Sequence, residues 1–165
     1  MLKKALGYVL CLGIVVPLTA AAKDDDKAGN SLVQFEGAIG SQPLRAGGAP
    51  NLVQGLSPGG APWVIENLRA DVKLDGKISV AGRGLLVGGG NRIATNAGQS
   101  VRARLFCGTV AHDSVLVPLD ASGDFQIRDT LVPIPVAPCD TPTLLIVNTG
   151  GSWFAAGIPK LNSDD

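Results

Sequence analysis

Between Arg69 and Val80 the chain alternates polar with apolar residues on both sides of Asp75-Gly76, and that pattern admits few folds. Arg69, Asp71 and Lys73 interleave with Ala70, Val72 and Leu74, and beyond the turn Lys77 and Ser79 interleave with Ile78 and Val80. A period of two marks a strand with one buried face. Parity also selects the turn. A two-residue Asp-Gly loop would set Val72 opposite Ser79, mixing apolar and polar residues on one face. A three-residue loop, Leu74-Asp75-Gly76, sets Val72 opposite Ile78 and Ala70 opposite Val80, with Gly76 in the left-handed position of a bulge. The hairpin is therefore expected to close through three residues.

The same alternation recurs along the chain. Residues 32–39 form a first strand, Trp63-Val64-Ile65 opens a second region, and residues 101–107 set Val101, Ala103, Leu105 and Cys107 against Arg102, Arg104 and Phe106. Residues 115–119 and 124–128 are expected to pair across Asp120-Ala121-Ser122-Gly123, with Pro118 confining the first of them to an edge or a bulge. Residues 143–148 and 153–158 pair across Thr149-Gly150-Gly151-Ser152. No segment sustains a helical period, and 22 glycines with 11 prolines interrupt the chain repeatedly. The expected fold is all-β: an antiparallel β-sandwich or partly open barrel of about seven or eight short strands.

Residues 40–62 are the least regular stretch. Gly47-Gly48-Ala49-Pro50 recurs as Gly59-Gly60-Ala61-Pro62, which reads as two turns leading into strands. A long Gly/Pro loop of this kind is also a candidate binding loop.

The N-terminus bears on compartment. Lys3 and Lys4 precede an uncharged apolar run, residues 5–16, which Pro17 ends before Thr19-Ala20-Ala21-Ala22. This layout predicts a secretory signal peptide over residues 1–22, cleaved after Ala22. An uncleaved anchor fits less well, because Pro17, two glycines and the alanine-rich end interrupt the run. A lipidated Cys11 would need a small preceding residue, and Leu10 is not small. The remaining chain is expected to be exported, periplasmic or extracellular, without stable membrane insertion. It divides into a polar leader (23–31), one β domain (32–160) and a polar tail (161–165).

Losing Lys3 and Lys4 leaves 12 basic residues against 14 acidic, a net charge of about −2. That field does not suit a nucleic-acid partner. Cys11 leaves with the signal peptide, so Cys107 and Cys139 remain, and outside the cytosol two cysteines predict one disulfide. Closing that loop corresponds to an upper value of about 3.7 kcal/mol.

No motif identifies a reaction. His112 is the only histidine, its neighbours Asp113 and Ser114 cannot form a triad with it, and it is expected in an exposed loop before the Val115 strand. There is no Gly-x-Ser-x-Gly turn, and the Gly82–Gly90 stretch lacks the ending of a phosphate loop. Asp120–Asp124 lacks the alternating ligand series of a calcium loop. No metal site or cofactor is expected.

Two functions are open. The first is a non-enzymatic binding or structural module of the cell envelope or extracellular space, whose partner is a glycan or an envelope protein. Its candidate ligand-binding residues are Trp63 and Trp153, each next to a Gly-rich loop, together with Arg92 and His112. Tryptophans so placed serve either as core residues or as flat apolar platforms. Arg83, Arg92, Arg102 and Arg104 could add a basic patch for acidic glycans. The second is a secreted hydrolase acting on glycans through an acid pair built on Glu36, Glu66 or nearby aspartates.

Overall fold

The computed structural model describes residues 30–160, which contain eleven strands and no helix. The proposed signal peptide and the tail lie outside the described residues. The strands are β1 (Ser31–Gly40), β2 (Trp63–Val64), β3 (Asn67–Lys73), β4 (Lys77–Arg83), β5 (Leu86–Val87), β6 (Ser100–Cys107), β7 (Val110–Asp113), β8 (Val117–Pro118), β9 (Phe125–Thr130), β10 (Thr143–Asn148) and β11 (Trp153–Pro159).

The architecture is a half-barrel and not a two-sheet sandwich. One antiparallel sheet runs β7-β6-β10-β11-β1-β3-β4-β9, with β8 also on β6, while β2 and β5 form a separate short pair. A bulge in β1 between Phe35 and Ala38 separates the half that pairs with β3 from the half that reaches β11 only. Bulges raise local twist and let a sheet coil. The sheet curls until its two ends approach each other at one point, where Asp113 and Val132 exchange two backbone hydrogen bonds of 2.9 Å.

The hairpin between β3 and β4 follows the expected parity. Val72 lies opposite Ile78, Ala70 opposite Val80, and Gly76 takes a φ of +82°. The Asp75 side chain accepts from the Lys77 amide at 3.1 Å and the Lys77 ammonium at 2.6 Å. Those contacts hold its carboxyl below the ordinary carboxylate value.

Inside the curl lies the main core, where Phe35, Leu68, Val72, Ile78, Val80, Leu105, Ile127, Leu144 and Ile146 meet. A second core lies outside it. Phe106, Leu145, Val147 and Trp153 pack on the outer face of β6, β10 and β11 beneath Val53 and Leu56. β10 is thus covered on both faces, which explains why Leu144-Leu145-Ile146-Val147 is an unbroken apolar run where β3, β4 and the start of β9 alternate.

The irregular stretch before β2 provides the outer cover. Backbone bonds from Trp153 N–H to Ser57 O (3.0 Å) and from Gly59 N–H to Trp153 O (3.0 Å) stitch it to β11. Of the two Gly-Gly-Ala-Pro turns, the second leads into β2, whereas the first leads only to isolated bridges.

Two further expectations are corrected. The Asp120–Gly123 turn forms, yet its flanking strands diverge, β8 joining β6 and β9 joining β4. Pro118 has no N–H to extend a ladder, and the Val115 amide donates to the Asp129 carboxylate at 2.7 Å instead of to a strand. His112 is not in an exposed loop. A two-residue Gly108-Thr109 turn folds residues 110–113 back on β6 as β7, and this buries the imidazole.

The disulfide joins Cys107 to Cys139, tying the end of β6 to the proline-rich crossing between β9 and β10. The Gly108 amide donates to Asp140 O at 2.7 Å beside it.

Two stability predictions follow from this packing. Replacing both cysteines by serine is expected to lower unfolding stability by up to about 3.7 kcal/mol in urea melts, the loop-closure value. An unchanged midpoint would show that the crossing is held without the bond. Gly82 faces the Phe125 ring so closely that a Cβ would fall inside it. Gly82→Ala is expected to cost about 1–3 kcal/mol through overpacking, measured the same way.

Candidate functional site

The tryptophans are core residues here. Trp63 is 4% exposed and stacks on Phe154 with ring centroids 3.9 Å apart. Trp153 is 3% exposed, and its indole N–H donates to Asn51 O at 3.1 Å. Neither ring presents a free face for stacking on a ligand.

His112 pairs with Leu105 across β6 and β7. Its Nδ1 lies 2.6 Å from Pro133 O, and because a carbonyl only accepts, Nδ1 carries the proton. The ring fastens β7 to the crossing. Arg92 sits on the exposed loop between β5 and β6, where its carbonyl accepts from Thr95 Oγ1 at 2.7 Å. The structure does not bring these four candidates together.

Nor does it gather the two glutamates. Glu36 lies on the outer face of β1, 3.4 Å from Arg69 and 3.9 Å from Lys160. Glu66 precedes β3, three residues before the Arg69 that faces Glu36, so the two are offset by roughly 10 Å along the strand. The concavity over Glu36, lined by Gln34, Arg69, Asp71 and Ser79, does not include Glu66. Among the described residues no group of three or more His, Cys, Asp or Glu side chains converges as metal ligands would.

What the fold does assemble is a cationic trough on the outer face of β6. Alternation sends Arg102, Arg104 and Phe106 outward together, opposite Val147, Leu145 and Thr143 of β10. The covering segment buries Phe106 and stops short of the arginines. A trough of about 570 Å³ remains, lined by Arg102, Arg104, Gly55-Leu56-Ser57 and the Thr149–Ser152 turn.

Its charges are ordered by Asp113, which faces Arg104 from β7. Arg104 donates to both oxygens of that carboxylate, Nε to Oδ1 and Nη2 to Oδ2, each at 2.6 Å. The fork holds the Arg104 guanidinium above its ordinary value, so it stays charged. Arg102 approaches Asp113 less closely, Nη1 to Oδ2 at 3.6 Å, and its Nε is buried with no hydrogen-bond partner among the described residues. Two guanidinium groups and one carboxylate give the trough a net positive charge.

Arg102 and Arg104 belonged to the four-arginine patch anticipated from sequence, and the structure divides that patch. Arg83 ends β4 and lines other concavities, and Arg92 stands on its own loop. The signal for the surviving pair was present in the alternation of residues 101–107. Asp113 as their partner was not, because β7 was not foreseen.

Asp113→Ala is expected to destabilise the fold by about 1–3 kcal/mol, since it removes a charge-assisted fork and leaves two adjacent cations unneutralised. Trp153→Phe is expected to keep the outer core and lose only the bond to Asn51, at about 1 kcal/mol, whereas Trp153→Ala should cost about 3–5 kcal/mol. Thermal melts of the purified variants check these orders.

No protein-family model, curated protein or solved structure matches this chain.

Proposed function

We propose that the chain is an exported, non-enzymatic binding module of the cell envelope or extracellular space. The observation that carries this reading is the trough over Arg102 and Arg104. It is concave and polar, and its cations are held in place by a cross-strand carboxylate instead of being left on mobile stems. Its remaining side chains are hydroxyls and one leucine. No histidine, glutamate or lysine stands in it to activate those hydroxyls, and Asp113 is engaged by Arg104, so the surface is suited to capture and not to bond cleavage.

The scaffold supports the same reading. A disulfide-linked half-barrel presenting a surface between a covering segment and a hairpin turn is a rigid mount for recognition. The disulfide also accords with the oxidising compartment to which the N-terminal sequence points.

Two measurements test this. N-terminal sequencing of protein recovered from outside the cytoplasm is expected to begin at Lys23, with Cys107 and Cys139 joined; free thiols or an intact N-terminus would overturn export by signal cleavage. A screen of envelope glycans and proteins, run beside turnover assays on the same glycans, is expected to find capture without cleavage. Turnover, or no capture across the screen, would overturn the module reading.

A further inference from the structure

Resting on the reading of the chain as a binding module, we propose that the trough over Arg102 and Arg104 takes a carboxylate-bearing sugar, a uronate unit of an acidic glycan. Arg102 is the group that would meet it. Arg104 commits Nε and Nη2 to Asp113 at 2.6 Å each, while Arg102 has only a 3.6 Å approach to the same carboxylate and a buried Nε without an acceptor among the described residues. The Nε is enclosed and out of a ligand's reach, but the terminal Nη groups of this partly exposed side chain keep donor capacity that the 3.6 Å approach to Asp113 does not use. An incoming carboxylate supplies the counter-charge that Asp113 gives mainly to Arg104.

The charge balance selects a monoanion. Two cations and one carboxylate leave one positive charge, which a sugar carboxylate neutralises, whereas a dianionic phosphate would also face Asp113. A planar carboxylate matches a guanidinium edge in shape as well. The rest of the ligand is set by the walls. Ser57, Thr149 and Ser152 line the trough with Gly55, Gly150 and Gly151, and its volume of about 570 Å³ lies in the range of small-ligand sites. Hydroxyls and glycine backbone suit a polyhydroxylated ring. The nearby aromatic is excluded from the contact, because Trp153 lies under the covering segment with its N–H on Asn51. Neutral sugars bound by stacking have no platform here.

The test is calorimetric titration of the full exported chain with trigalacturonate, its carboxyl-reduced neutral counterpart and a sulfated disaccharide. Trigalacturonate is expected to bind, and the other two to bind much more weakly or not at all. Arg102→Ala is expected to weaken binding about tenfold or more with melting temperature retained, and Arg102→Lys to recover only part of it, since a point charge lacks the fork. Thr149→Trp, on the exposed rim, is expected to block the trough without touching either arginine, and it decides the matter if Arg102→Ala does not fold. Unchanged affinity in a folded Arg102→Ala or Thr149→Trp protein would overturn the site. Equal binding of the neutral sugar, or preference for the sulfated one, would overturn the carboxylate. Failure to bind trigalacturonate by a protein that captures another glycan or an envelope protein would end this proposal while leaving the module reading standing.

Discussion

The two-sided burial of β10 is the constraint on which the rest of the molecule depends. Leu144 and Ile146 face the barrel interior, and Leu145 and Val147 face outward, all four fully buried. A strand with apolar residues on both faces cannot lie at the surface of an open sheet. Something has to cover the outer face, and the twenty-odd residues between β1 and β2 are the segment that does so. Their glycines and prolines let the chain cross the sheet without forming a strand of their own. The long irregular loop is therefore a structural cover first, and any recognition occurs at its margin.

That margin is where the electrostatics matter. On β6 the outward residues change from Phe106, which the cover buries, to Arg104 and Arg102, which it leaves partly exposed. Asp113 reaches the arginines only because β7 folds back on β6, and β7 is held in turn by the disulfide at Cys107, by His112 against Pro133 O, and by the bridge from Asp113 to Val132. Each of these ties the proline-rich crossing to the same hairpin. The site and the closure of the half-barrel thus share their fastenings, so a change that loosens the crossing should also disturb the position of the arginines. The sole histidine does structural duty in this arrangement, and the Cys107–Cys139 disulfide reinforces it.

Much of the fold was legible along the chain. Parity around Asp75-Gly76 gave the three-residue turn and the opposition of Val72 with Ile78, because the side-chain period of a strand is local and a slip of one residue would invert both faces. The alternation of residues 101–107 likewise placed Arg102 and Arg104 on one face. The misreadings share a cause. β8 and β9 are adjacent in sequence and joined by a good turn, but their backbone partners are β6 and β4, and the chain between them says nothing of that choice. His112 lies in a polar stretch that looks like a loop, and it is buried because the crossing, more than twenty residues later, returns to cover it.

By itself, then, the sequence determined the local quantities: strand periodicity, the turn at Gly76, the disulfide partners, and the common face of Arg102 and Arg104. These follow from backbone sterics and, for the disulfide, from setting Cys11 apart with the expected signal peptide. The tertiary structure alone decided which faces are covered. It turned Trp63 and Trp153 into core residues, kept Glu36 from Glu66, and left Arg102 beside Asp113 at the edge of the cover. Direction is set by a residue and its immediate neighbours, whereas exposure depends on which distant segment comes to rest on that face.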